Sequence, residues 1–528
     1  MSAVLFSNYL ISKKPYFNHM KLLNNKYYTL VTGIAFALLT GSCKHEAPVI
    51  KPDIDPASTQ YPLEIANIIV TKCATAGCHN ATSYTGAGGL RLDDWGYMFD
   101  GGGNGAVAVA YSPENSSLLY FLNPGPGVYD EISVAPTMPY NEHPLSKEEY
   151  DLIKQWIADG APDKNGNIPF ASNAATRQKA YLTQQGCDLV AVIDAEKNVV
   201  MRYIKVGNSP RIETPHYIQI DKQGQYAYVC FVDGSIIQKI DCSTDKVVGE
   251  MNLAVTGGGG NDGLQYNIVQ VSDDGTKLIA SQLKPNGNIV FGDATTMTKT
   301  VSTLATLPNP HGIAYNRSFD TFYITGQKGN AVYIVDLMPG TTSDYVSIDN
   351  KQITTQSDGI TTPDPHEIIM APDYSKYFLT CENTNEVRVM SVAGNSLLKV
   401  LHTGTKPQEL AISQTRPYLF VTCMEDVSRV SALYKGTVYV IDYNTLTVIK
   451  RIDGEFSEPH GVTVDDRNGT FYVASVNARG HGPAPHHISD CGGRNGYYQV
   501  YDLNTFERLN RKTYEVPPAP YSFQMRFK

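Results

Sequence analysis

Residues 310–336 read PHGIAYNRSFDTFYITGQKGNAVYIVD: a strand opening at Pro310, a turn, a Phe/Tyr strand, a second turn and a strand ending in Asp336. The same unit recurs from about Tyr181 onward. Its openings are Pro215-His216-Tyr217-Ile218, Tyr266-Asn267-Ile268, Pro310-His311-Gly312-Ile313, Pro365-His366-Glu367-Ile368, Pro407-Gln408-Glu409-Leu410, Pro459-His460-Gly461-Val462 and Pro520-Tyr521-Ser522-Phe523. The third strands end in Asp194, Asp241, Asp293, Asp336, Asp442 and Asp502, with Ser391 in the remaining place. Repeats of roughly 40–60 residues, each supplying four strands, predict an all-β seven-bladed propeller over residues 181–528. The ends complement each other. Tyr181–Glu213 lacks an inner strand and Pro520–Phe527 is an inner strand without a blade, so pairing them predicts a closed ring.

The unit openings carry a second pattern. His216, His311, His366 and His460 occupy one position at the start of the innermost strand, and Asn267, Gln408 and Tyr521 fill the other three places. Innermost strands line a propeller's central channel, so these side chains are expected to form a polar ring at one mouth. The blade-seven insertion with His481, His486 and His487 lies between that blade's second and third strands, and is expected to bring three more imidazoles to the same face. Neutral imidazole is a strong donor to borderline metals, so one reading of the ring is a site for Cu, Zn or Fe. The other is a structural ring that hydrogen-bonds channel water and backbone. Glu367, Glu409 and Glu458, beside the ring, could belong to such a site and as easily read as solvated rim charges. Gly257–Gly260 reads as a flexible turn, since no strand and helix flank it as a phosphate loop requires.

Upstream the periodicity changes. Residues 60–163 read as helical, with Ile65, Ile68, Ile69 and Lys72 on one face of a helix running into Cys73. A closing helix begins at a Ser146/Glu149 capping box, carries Tyr150, Ile153, Trp156 and Ile157 as an apolar stripe, and stops at Gly160 and Pro162. Residues 164–180 read as a linker. Between the helices stands Cys73-Ala-Thr-Ala-Gly-Cys78-His79. Two thiols that can add to haem vinyl groups, followed at once by an imidazole for the iron, form a haem-attachment sequence with four residues, instead of the usual two, between the cysteines. A zinc site would want a second ligand pair at similar spacing. Met138, in Ala-Pro-Thr-Met-Pro, is the expected sixth ligand, because a thioether opposite imidazole suits electron transfer; Met98 and His143 are the substitutes.

The first 42 residues hold four Lys, no Asp or Glu, and an apolar run from Thr29 to Thr40 ending at Gly-Ser-Cys43. This pattern predicts a secretory signal over residues 1–42, with Met20 a second candidate start. Residues 43–59 then form a Pro-rich tether. Loss of the signal takes the net charge from −9 to −13, because four Lys leave (−9 − 4) and no acid does. An acidic chain without a Lys/Arg cluster argues against nucleic acid as a partner. Of the nine cysteines, Cys187, Cys230, Cys242, Cys381, Cys423 and Cys491 show no paired spacing; Cys230, Cys381 and Cys423, late in the same strand of repeated units, read as small buried apolar residues, and a disulfide among the rest stays open.

Three resemblances follow from these residues. Leu-Thr-Gly-Ser-Cys43 resembles a bacterial lipobox, with Thr40 where the motif prefers Leu, and implies lipidation of Cys43 and an extracytoplasmic chain held to a membrane by lipid alone. The repeats resemble the YVTN/YncE class of propellers. Gly88-Gly-Leu-Arg-Leu-Asp93, Ser116-Ser-Leu-Leu119, Met138-Pro139 and the Leu145–Ala161 helix resemble the small cytochrome c-like domain named for planctomycete proteins. That likeness implies one haem c, thioether links at Cys73 and Cys78, His79 as proximal ligand and Met138 as distal ligand. The expected fold is therefore multidomain: a small all-α cytochrome c domain, then the propeller. The expected function is electron transfer to an unidentified redox partner, with the propeller as docking scaffold. Two further readings stand beside it: a two-site oxidoreductase with a metal or substrate at the histidine ring, and a surface binding protein.

Overall fold

The computed structural model describes residues 54–254, 265–337, 344–479 and 487–527. Cys43 and the other lipobox residues, Gly257–Gly260, His481 and His486 lie outside them. Seven four-stranded antiparallel sheets form the propeller. Its velcro closure is as the two incomplete ends require. Pro520–Met525 pairs with Lys179–Gln184 as the inner strand of the first blade, Leu182 facing Phe523 and Ala180 facing Met525. Leu189–Asp194 and Val199–Lys205 complete that blade.

The Asp at the end of each third strand has a local role. Asp194, Asp241, Asp293, Asp442 and Asp502 each accept two backbone N–H groups of the following turn through Oδ1, which satisfies donors that the ladder leaves behind. In the fifth blade the Ser391 hydroxyl accepts from Ser396 N–H and closes the equivalent turn. Alternating apolar residues of adjacent blades interleave between the sheets. Tyr181, Val190, Ile218, Val229 and Ile240, for example, form one buried cluster between the first and second blades.

Cys187 and Cys491 form a disulfide across the closure, with Cα atoms 5.3 Å apart. Their separation of 304 residues explains why no spacing announced the pair. Cys230, Cys242, Cys381 and Cys423 are free and buried, as a role in packing requires.

Residues 54–177 add four short helices: α1 (Leu63–Lys72), α2 (Trp95–Met98), α3 (Ser117–Leu122) and α4 (Lys147–Ala158). Both halves of the capping box on α4 form, Glu149 N–H to Ser146 Oγ at 3.2 Å and Ser146 N–H to Glu149 Oε2 at 2.9 Å. Tyr150, Ile153, Trp156 and Ile157 face a core shared with Ile65, Ile69, Leu92 and Leu119. This segment packs on the outer strands of the seventh and first blades. Thr513 and Glu515 donate backbone N–H groups to Gly103 and Asn104 carbonyls, and Arg202 donates to Pro169 O at 2.9 Å. Within the stretch expected to be a linker, Phe170 meets both the helical core and the first blades. Among the described residues, no helix is long and apolar enough to cross a membrane.

Candidate functional site

The loop Cys73–His79 leaves α1 and folds back on itself. Gly77 takes a left-handed φ of +82°, Cys78 N–H reaches Thr75 O at 3.0 Å and His79 N–H reaches Cys73 O at 3.1 Å. The Gly88–Asp93 motif is the support for this loop. Leu92 N–H donates to His79 O at 2.8 Å, Ala81 N–H donates to Asp93 Oδ2 at 3.1 Å, and His79 Nδ1 lies 3.1 Å from Leu90 O. A carbonyl only accepts, so Nδ1 carries the proton and Nε2 keeps the lone pair. Burial lowers the His79 pKa and so favours the neutral imidazole, the form that can bind a metal. Burial, with the neighbouring Cys78 adding to it, pushes the Cys73 thiol up to about 12.

Cys73 faces the helical core, and Met138 packs against that same core from the loop after α3, its N–H bonded to Phe121 O at 2.8 Å. Met98 is fully buried inside the core, whereas His143 is exposed. Two free thiols, an adjacent imidazole and a thioether, with Cys73 and Met138 on one apolar cluster, are a donor set that fits a covalently attached haem.

The second constellation is the channel. At every blade the residue expected in the ring is the extra residue of a β-bulge. Pro365 pairs with Cys381 and Ile368 with Leu379, so His366 and Glu367 together oppose Thr380 alone. The fourth, sixth and seventh blades repeat this, and the second and third insert His216 and Asn267 in the same way. A ring of hydroxyls on the second strands holds the bulges. Thr325 Oγ1 accepts Gly312 N–H and donates to His366 O of the next blade. Thr380 and Thr422 likewise receive Glu367 and Glu409 N–H and donate to Gln408 O and His460 O. The clue in the sequence was the buried Thr one residue before Cys381, Cys423 and Gly326.

The four histidines converge. Ring centroids are 6.0 Å apart for His216–His311, 4.2 Å for His311–His366, 6.0 Å for His366–His460 and 3.5 Å for His460–Tyr521, and Tyr521 returns to His216 at 4.5 Å. Burial depresses all four imidazole pKa values, that of His311 to about 4, so they are neutral near pH 7. His460 Nδ1 lies 3.2 Å from Tyr521 O, which leaves Nε2 buried without a partner.

Two expectations fail here. Glu367 and Glu409 are not solvated rim charges: they are 5% and 3% exposed and line a polar cavity of ≈460 Å³ below the ring, with Tyr217, Gln270 and Gln524. The bulge turns two consecutive side chains toward the channel. Burial, opposed by His366, raises the Glu367 pKa to about 7. Glu458 is half-buried and holds Arg479 and the Ala478 N–H. His487 is not at the ring either. Its Nδ1 is bonded to Glu515 at 2.8 Å, its ring lies 6.0 Å from that of Phe121, and its carbonyl accepts Asn495 N–H, so it is pinned to the outer strands against the helical segment.

No family model and no curated protein matches the chain, so the cytochrome-like and YVTN-like resemblances are carried by the quoted motifs alone. Among solved structures, the chain is similar to Kuenenia stuttgartiensis hydrazine synthase, 17% identical with a TM-score of 0.42 over 60% of this chain and 91% of that one. It is also similar to a functionally unknown protein from Desulfotomaculum acetoxidans DSM 771, 11% identical with a TM-score of 0.48 over 66% and 98%. No functional reading is carried over from either.

Proposed function

We propose that this protein is an extracytoplasmic c-type cytochrome that exchanges single electrons through one haem c, with the propeller as rigid scaffold. The observation that carries the reading is the Cys73–His79 loop, in which two free thiols stand beside an imidazole whose Nδ1 is held by the Leu90 carbonyl. Cys73 and Cys78 would hold the group by thioether bonds, and His79 and Met138 are the residues that would ligate its iron. When bound, haem c supplies a one-electron couple whose potential a methionine ligand raises. The residues around it position ligands and exclude water: Asp93 ties down the loop beyond His79, and the Phe121 carbonyl fixes the backbone of Met138.

The Cys187–Cys491 disulfide supports an oxidising compartment, in keeping with the secretory signal. Lipidation at Cys43 belongs to the same proposal. Expression in a periplasm that attaches haem tests it: reduced protein shows the sharp α and β bands of a low-spin c-type haem. Protein that accumulates folded, with the disulfide formed, but without a Soret band sinks the reading.

A further inference from the structure

We propose that the propeller channel holds one divalent first-row transition-metal ion, bound by His311, His366 and Glu367. This site is independent of the haem reading and lies in the propeller alone.

One ring nitrogen from each histidine and one carboxylate oxygen of Glu367 lie within 4.8 Å of one another, and all three residues are buried. His311 Nδ1 and Glu367 Oε1 are 3.4 Å apart, the separation of two ligands at about 2.1 Å on a tetrahedral ion. Small side-chain rotations bring the third donor in. Both His311 Nδ1 and His366 Nδ1 are buried without a hydrogen bond, which is costly for a polar atom unless something occupies it. His366 turns its other nitrogen, Nε2, toward Glu382 Oε1 at 3.6 Å, the outer carboxylate that commonly orients a ligating imidazole.

The backbone is shaped for the same cluster. The bulge at Pro365–Ile368 sends consecutive residues, His366 and Glu367, into the channel. Gly312, next to His311, permits the approach: a Cβ there would stand 2.9 Å from His366 O and 3.2 Å from Glu367 Cα. Two neutral imidazoles and one carboxylate with the remaining positions open is a donor set for zinc or ferrous iron. The polar cavity beside Glu367 provides the space for water or a small ligand on the open side.

The test uses the full chain, purified without chelator. Metals are counted by mass spectrometry after subtraction of the haem iron measured from its pyridine complex. The expected result is about one equivalent of zinc or non-haem iron, lost in His311→Ala and Glu367→Gln, with the affinity of stripped protein for Zn²⁺ weakened about 10–100-fold in Glu382→Gln. Thermal unfolding guards against variants that fail to fold. Zn²⁺ added to stripped protein raises the midpoint of the wild type and not that of Glu367→Gln or Gly312→Ala. The proposal is overturned if wild-type protein carries no such metal and its midpoint ignores added Zn²⁺. It is equally overturned if the Glu367→Gln and His311→Ala proteins retain the ion.

Discussion

Cutting the Cys187–Cys491 disulfide should release the propeller's closure. The bond joins the turn after Lys179–Gln184 to the insertion of the seventh blade, beside the seam that Pro520–Met525 closes. In the chain-entropy treatment a cross-link spanning 304 residues removes 2.1 + 1.5R ln 304, about 19 cal/mol/K, from the unfolded ensemble. At 25 °C that is about 6 kcal/mol, and native disulfides deliver typically about 2–4 kcal/mol of such a ceiling. The perturbation is Cys187→Ser with Cys491→Ser, both changed together so that no lone thiol remains. The assay is guanidinium unfolding followed by far-ultraviolet circular dichroism, without reductant. The double variant should unfold at a lower midpoint, with a loss of at least about 2 kcal/mol, and mild reductant should move the wild type to the same place. Equal midpoints for variant and wild type refute the reasoning. So does alkylation of both cysteines in unreduced, denatured wild-type protein.

Other outcomes follow from individual contacts. Thr422→Val removes the hydroxyl that accepts Glu409 N–H and donates to His460 O, leaving both backbone groups buried; a loss of about 1–3 kcal/mol is expected by denaturant unfolding, and no loss would discount the hydroxyl ring. The Glu515 hydrogen bond raises the His487 pKa, so this pair stabilises the fold fully below the ordinary histidine pKa of about 6.5 and loses that contribution as pH rises through the folded value. Glu515→Gln should therefore lower the thermal midpoint more at about pH 5.5 than at about pH 8.5. A pH-independent difference would contradict the pairing. In Met138→Ala the far-red methionine-to-iron charge-transfer band should vanish while the haem stays attached; its persistence would move the ligand to Met98.

The sequence told more about the scaffold than about its interior. Blade number, velcro closure and the capping box at Ser146 followed from local patterns, because each depends on residues close in the chain or on an exact repeat. The convergence of His216, His311, His366 and His460 was legible for the same reason. The depth of Glu367 and Glu409 was not, because a bulge breaks the two-residue period on which a strand's faces are read. His487 also escaped: Glu515, 28 residues further on, holds its imidazole at the outer edge. The disulfide joins the two ends of the repeat array and has no local mark at all. At Cys73–His79 the motif named the candidate donors, and only the fold supplied the Leu90 carbonyl that holds the imidazole's Nδ1.

The central claim is the covalent haem, and it is tested most directly on the peptide that contains Cys73, Cys78 and His79. The protein should be made where haem is attached, denatured, digested and weighed. One haem fixed to that peptide through both sulfurs, and lost from the Cys73→Ala with Cys78→Ala protein, is the predicted result. A peptide of unmodified mass, with both thiols free to alkylate, would contradict the account.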